Sequence, residues 1–194
     1  RPSAAEALAA SGYERVQWLA CALADEPSGF ASREPAARLW SPSPFLEHVL
    51  DRCPRGRALD LACGSGRAAV YLAMQGWEVE AWDVDARALA MAGDFAARQG
   101  VRIVPRVCDL EAGLLAPPEP GFDLIVVVRY LHRELFPWIE RALAPGGALV
   151  YETFRTGQER FGPPRRARHL LQAGELAGAF PSLVVDEHEE TPDD

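Results

Sequence analysis

The sequence predicts an α/β fold: a doubly wound, mainly parallel sheet with helices on both faces, in three α/β/α layers. Three observations carry this reading. From Arg57 onward, short apolar runs alternate with stretches of helical periodicity, the spacing that right-handed crossovers between parallel strands require. Phe122–Val128 (FDLIVVV) is almost continuously apolar, as expected of a strand covered on both sides. A chain of 194 residues with 48% hydrophobic content suits one well-filled domain and is short for two.

The elements follow in order. Residues 1–56 read as a helical N-terminal region placed to roof a pocket. Within it, Val16–Ala24 (VQWLACALA) is too short for a signal peptide and lacks a basic flank beyond Arg15. Tyr13, Val16, Leu19 and Leu23 stand at helical spacing, so an amphipathic helix is expected there. Ser43-Pro44 places a cap before a proline at the first helical position. Ala58–Ala62 is the first strand, and a helix over Ala68–Gln75 stops at Gly76. Glu78–Trp82 is the second strand; Asp85 then caps a helix carrying Leu89, Ala92 and Ala96 on one face. Val101–Val107 and Phe122–Val128 are strands three and four. A helix beginning near Pro137 ends at Pro145-Gly146-Gly147. Ala148–Phe154 is strand five, Gly174–Phe180 a short helix, and Leu183–His188 a sixth strand. Strand six would be an exposed edge, which proteins normally cover, so a further strand beyond Asp194, or a strand of another chain, is expected to pair there. The chain begins with Arg1 rather than Met, and residues upstream are expected too.

Composition narrows the function. A net charge of −8 argues against nucleic acid or an anionic membrane surface as partner. No apolar run approaches the length of a membrane span. The four cysteines (Cys21, Cys53, Cys63, Cys108) show no C-x-x-C spacing, which favours reduced thiols in a cytoplasmic protein and no metal site. Lys and Asn are both absent, consistent with a GC-rich bacterial genome.

The informative stretch is Ala58–Arg67, ALDLACGSGR, a strand running into a glycine loop with a carboxylate inside the strand. Gly64-Ser65-Gly66-Arg67-Ala68-Ala69 satisfies the G-x-G-x-x-A pattern of dinucleotide sites, and Asp83 follows at a distance suited to a ribose hydroxyl. A nicotinamide or flavin enzyme is therefore a serious rival reading. Charge decides against it. Asp60, Asp83 and Asp109 fall at the ends of strands one, two and three, and a pyrophosphate would tolerate only Asp83. Two unit charges ~4 Å apart interact by ~4 kcal/mol at an effective dielectric near ~20. A ligand with an adenosine, no phosphate, an ammonium and a sulfonium reverses the sign of that energy, and S-adenosylmethionine is that ligand.

Asp60-Leu61-Ala62-Cys63-Gly64-Ser65-Gly66 is similar to the first motif of the class I S-adenosylmethionine-dependent methyltransferases, whose fold is Rossmann-like. The resemblance continues through Arg67, Tyr71-Leu72-Ala73, Gly76 and Ala81-Trp82-Asp83, and these residues look like the small-molecule branch holding the tellurite-resistance and thiopurine methyltransferases. Cys108-Asp109-Leu110 matches the acidic turn after strand three, and Pro145-Gly146-Gly147 the turn before strand five. The resemblance implies a cofactor domain over 57–194. It implies that Asp60 and the Ala62–Gly66 backbone, including Cys63, surround the methionine part of the cofactor, and that Asp83 holds the ribose hydroxyls. It implies further that Asp109 and Leu110 meet the adenine edge, that Val84 packs on its face, and that the Arg129 backbone floors the pocket. Two departures stand out: the family's seventh strand is missing, and no D/N-P-P-Y/F/W motif is present, which disfavours methylation of nucleic-acid amino groups.

His132, just past strand four, is a candidate base or substrate contact. Tyr151 and Glu152 end strand five, and one of the two must turn into the sheet packing. Trp77 and Trp82 read as packing residues. The Gly-, Pro- and Arg-rich stretch Gly157–Arg168 reads as a mobile lid, and its Arg160, Arg165, Arg166, Arg168 and His169 as an anion site or a solvated surface. The expected activity is methyl transfer from S-adenosylmethionine to a small molecule by in-line displacement, leaving S-adenosylhomocysteine. The alternatives are a nicotinamide-dependent oxidoreductase and a non-catalytic cofactor-binding regulatory module.

Overall fold

The structure, a computed structural model, describes residues 40–53, 55–113 and 121–190. Val16–Ala24 and Cys21 lie outside these residues. Five strands, β1 (Arg57–Leu61), β2 (Glu78–Asp83), β3 (Val104–Val107), β4 (Phe122–Val128) and β5 (Leu143–Glu152), form one sheet. Their order is β3-β2-β1-β4-β5, and every pairing is parallel. The chain starts at the centre, builds outward to β3, and returns to lay β4 on the other side of β1. Strand order therefore reverses between β1 and β4, and ligands of such sheets bind outside the carboxyl ends at that point.

Alternation along the strands divides the core between two layers. Leu59, Leu61, Ile125, Val127, Leu149 and Tyr151 face α4 (Phe136–Ala142) and α5 (Glu175–Gly178). Ala58, Val79, Ala81, Leu124, Val126 and Val150 face α1 (Pro44–Val49) and α2 (Arg67–Met74). On α3 (Ala86–Arg98), Leu89, Ala92 and Ala96 are the buried stripe. Local chemistry sets the helix ends. Ser43 Oγ accepts from the Leu46 N–H at 3.3 Å with Pro44 in the first turn, and Asp85 accepts from the Arg87 N–H at 2.8 Å. Trp77 and Trp82 are buried packing residues, Trp82 against Phe122, Trp138 and the Arg106 guanidinium.

The sequence reading needs correction at three elements. Strand three begins at Val104 rather than Val101, because the Val101 N–H is committed to Ala96 O at 3.0 Å and the Gly100 N–H to Ala97 O, closing α3 in a left-handed turn at Gly100. Strand five begins at Leu143 rather than Ala148 and ends at Glu152: Leu143 pairs with Phe122, Ala148 with Leu124, and the residues between bulge out. Leu183–His188 forms no strand. Its Leu183 and Val185 pack on the α4 layer, Glu187 bonds His48 and Arg52 beside α1, and its backbone pairing is limited to an isolated bridge at Val185. Among the described residues the outermost strand on this side is β5, whose continuation meets Leu171 in a parallel bridge at Arg155.

The bulge between β4 and β5 leaves no room at Gly147. A Cβ there would stand 2.8 Å from Phe122 O and 2.9 Å from Ala144 O, both backbone atoms that cannot move aside cheaply. Gly147→Ala is expected to lower stability by about 1–3 kcal/mol, the usual cost of overpacking. Urea unfolding checks this, and an unchanged midpoint would contradict the tight bulge.

Candidate functional site

The carboxyl ends of β1 and β2 feed a loop whose shape is set by carboxylates. After Leu61 the chain takes the left-handed region at Ala62 (φ 54°), Gly64 (φ 53°) and Gly66 (φ 79°). For alanine that conformation is strained, a cost that surrounding structure must hold in place. Here the Cys63 N–H donates to Trp82 O at 3.0 Å, and the Gly66 N–H to Cys63 O at 2.9 Å. Gly66 needs its missing side chain, since a Cβ would lie 2.6 Å from Ala92 Cβ on α3. Around the Cβ position of Gly64 there is open space.

Asp83 ties the second strand to this loop. Its Oδ2 accepts from the Gly64 N–H at 2.8 Å, and its Oδ1 from the Asp85 N–H at 2.9 Å. Asp109 makes the same kind of turn after β3, accepting from the Glu111 N–H at 2.9 Å. Leu110 is buried in the core, whereas Val84 is 62% exposed at the mouth. Tyr130, just past β4, lies in the field of Glu111, Asp109 and Asp83; burial first and these acids second push its phenol up to about 12, so it stays protonated. This edge of the sheet is electronegative.

Asp60 is the buried member. Only 2% exposed, it accepts from the Ala69 N–H at 2.9 Å, at the N-terminus of α2. The helix terminus favours the carboxylate, but desolvation outweighs it: burial, with a smaller push from Asp83, raises Asp60 to about 7. The Cys63 thiol is pushed up by burial and then by Asp60 and Asp83, so it is a poor nucleophile. A cavity of about 390 Å³ lined by Trp40, Arg67, Met91, Phe95 and Arg98 lies on the α3 side of the loop. Ser65 and Asp94 complete its lining, and none of the three strand-end acids is among them.

The β4 and β5 ends complete the crevice. Arg129 is left-handed (φ 59°), and its N–H donates to Glu152 O at 2.7 Å. Of the two residues ending β5, Tyr151 turns inward, with its ring against Phe136 and Phe180 and 1% of its surface exposed. Glu152 turns to the opposite face, where the Ser43 hydroxyl donates to its Oε2. Burial raises its carboxyl above the usual range, with the Ser43 bond and the Arg129 charge opposing. His132 is half-buried and lies 3.9 Å from Glu134. Sequence reasoning took Ser43 only as a cap and passed over Tyr130 and Arg133. Tyr130 could have been found from its position after strand four; the Ser43 contact spans 109 residues and leaves no local signal.

The ends of Gly157–Arg168 are tied to the rest of the fold. Arg133 donates to Arg168 O at 2.8 Å and Leu170 O at 2.9 Å while paired with Glu175; at the loop's base the Thr156 N–H donates to Leu171 O and the Leu171 N–H to Phe154 O. Arg165, Arg166 and Arg168 are exposed, as a solvated surface would be. Among the described residues no group of three metal-ligating side chains occurs, and no helix is long and apolar enough to cross a membrane.

Residues 58–147 match the family model described as a methyltransferase domain. The chain is 30% identical over 86 residues to the probable S-adenosyl-L-methionine-dependent methyltransferase TehB of Haemophilus influenzae, covering 43% of this chain and 29% of that protein. It is 40% identical over 101 residues to the ribosomal protein L11 methyltransferase of Thermus thermophilus, covering 50% and 38% respectively. It is 32% identical over 118 residues to the protein-L-isoaspartate O-methyltransferase of Chlorobaculum tepidum, covering 61% and 54%. The chain thus spans between about a third and about half of these relatives' lengths. A solved S-adenosylmethionine-dependent methyltransferase from Clostridium acetobutylicum shares the fold at TM-score 0.50 and 20% identity, over 59% of this chain and 49% of that one.

The raised Asp60 gives a pH prediction with a definite sign. Native Asp60 keeps a proton up to about 7, whereas in the unfolded chain it ionises near 3.8. Between those values the native state binds the extra proton, so this group's contribution to stability falls as pH rises. Asp60→Asn, which cannot ionise, is expected to gain stability relative to the parent protein between pH ~5 and pH ~8. Urea midpoints at the two values check it; a constant difference would place the carboxyl in an ordinary environment.

Proposed function

We propose that the chain, whose residues 58–147 form a class I S-adenosylmethionine-dependent methyltransferase domain, transfers the methyl group of S-adenosylmethionine to a small-molecule acceptor. One observation carries the choice of ligand. The Gly64 N–H, the kind of donor a dinucleotide site aims at phosphate, is already given to Asp83, and a second carboxyl, Asp60, is buried beneath the same loop. An anion would meet the Asp83 carboxylate and an occupied loop amide here, and a cation meets a partner.

The residues present fit the cofactor. Open space at Gly64 admits a ligand against the loop backbone from Ala62 to Gly66, with Asp60 below it. The Asp83 oxygens each keep a lone pair for a ribose hydroxyl. Asp109 and Leu110 would border the adenine, exposed Val84 would lie on its face, and the Arg129 backbone would close the floor. When bound, the cofactor supplies a methyl carbon activated by the positive sulfur. The chain's own residues contribute orientation and exclusion of water, holding acceptor and methyl in line at about 3–3.5 Å. His132 is a candidate for removing a proton from a hydroxyl or thiol acceptor. A small acceptor is favoured over ribosomal RNA by the net charge of −8. Free, protonated Cys53 and Cys63 suit a reducing, cytoplasmic setting.

Asp83→Ala tests the assignment. Loss of its hydrogen bonds should cost about 1–3 kcal/mol, weakening S-adenosylhomocysteine binding by about ten- to a hundredfold. Calorimetric titration of the folded variant checks this, and unchanged affinity would remove Asp83 from the ribose site.

A further inference from the structure

Resting on the methyltransferase reading, we infer that Glu152 is the acceptor-recognising group and that the acceptor is a small primary or secondary amine, taken up as its ammonium ion. The topology separates two sides of the crevice. Asp60, the glycine loop, Asp83 and Asp109 stand at the ends of β1, β2 and β3. Glu152 stands across the switch point at the end of β5, paired with Val128 of β4. Asp60 is in register with Val126, and Val126 with Val150, so Glu152 shares a sheet face with Asp60. It is two strands over, about 10 Å, and two residues further toward the carboxyl edge, about 7 Å. That places a carboxylate beyond the cofactor residues, at the carboxyl edge of the face that α1 covers.

The carboxylate is held but not consumed. The Ser43 hydroxyl fixes Oε2, and that hydroxyl belongs to the cap of α1, a rigid point. Among the described residues Oε1 carries no hydrogen bond or ion pair. Arg129 is near enough to attract Glu152, yet its guanidinium lies 6.0 Å from the Phe154 ring centre and forms no ion pair with it. A half-buried carboxylate with one oxygen committed and one unclaimed selects a donor, and an ammonium is the donor that also restores the missing charge.

The chemistry balances. The acceptor ammonium passes one proton to Glu152 Oε1. The freed nitrogen lone pair forms the new N–C bond as the methyl carbon's bond to sulfur breaks, and that bond's electron pair remains on sulfur. The methylated amine leaves positively charged, and Glu152 returns its proton to solvent. The missing D/N-P-P-Y/F/W motif fits this acceptor: such motifs serve weakly basic amino groups on rings, whereas an alkyl amine needs only deprotonation and alignment.

Calorimetry with benzylamine, ethylamine and the matching alcohols, each added to protein saturated with S-adenosylhomocysteine, tests the inference. The amines are expected to bind at least tenfold more tightly than the alcohols. Glu152→Gln is expected to abolish that preference while leaving S-adenosylhomocysteine affinity unchanged, which also reports an intact fold. Methyl transfer to the amines should fall in parallel. Amines bound no better than alcohols, or a preference that survives in Glu152→Gln, would overturn the assignment. Failure of the parent protein to bind S-adenosylhomocysteine would overturn the methyltransferase reading beneath it.

Discussion

The hydrogen bonds from Ala69 N–H to Asp60 and from Gly64 N–H to Asp83 determine what this site can do. Together they lock a glycine loop between the first two strands and the start of α2, using carboxylates for a task that backbone or solvent could perform. The arrangement leaves a buried acid below the loop and a half-buried one beside it. Such a loop is electrically unsuited to phosphate, whatever its glycine spacing. The strain at Ala62 follows from the same constraint: the chain must turn sharply after β1 so that the loop amides reach Trp82 and Asp83.

The parts of this site legible in the sequence were those built from neighbours along the chain. Phe122–Val128 was readable because a doubly covered strand must be apolar on both faces, and the strand has those bounds in the structure. Asp85 and Ser43 were readable as caps because capping is local. Leu183–His188 misled because its alternation has a different cause: Leu183 and Val185 are drawn to the core while Glu187 is drawn to Arg52 and His48. The loop Gly157–Arg168 has the composition of a solvated segment, and the group that holds its far end, Arg133, belongs to another part of the chain, so that contact leaves no local signal.

Glu152 shows where one-dimensional reading stops. Strand period alone says that Tyr151 and Glu152 point to opposite faces, not which face each takes. Packing answers that. Phe136 and Phe180 form an aromatic slot for Tyr151, which turns Glu152 toward α1 and Ser43. The loop side of the site is built from residues close along the chain, whereas the β5 side depends on such individual packing choices.

The account stands on the claim that the crevice is matched to a cationic, phosphate-free adenosine ligand. Titration calorimetry of the same protein with S-adenosylmethionine and with NADH tests this most directly. Saturable binding of S-adenosylmethionine with no heat of binding for NADH is the predicted result. Binding of NADH at comparable or higher affinity would contradict the account, because the pyrophosphate would then be accepted beside Asp60 and Asp83.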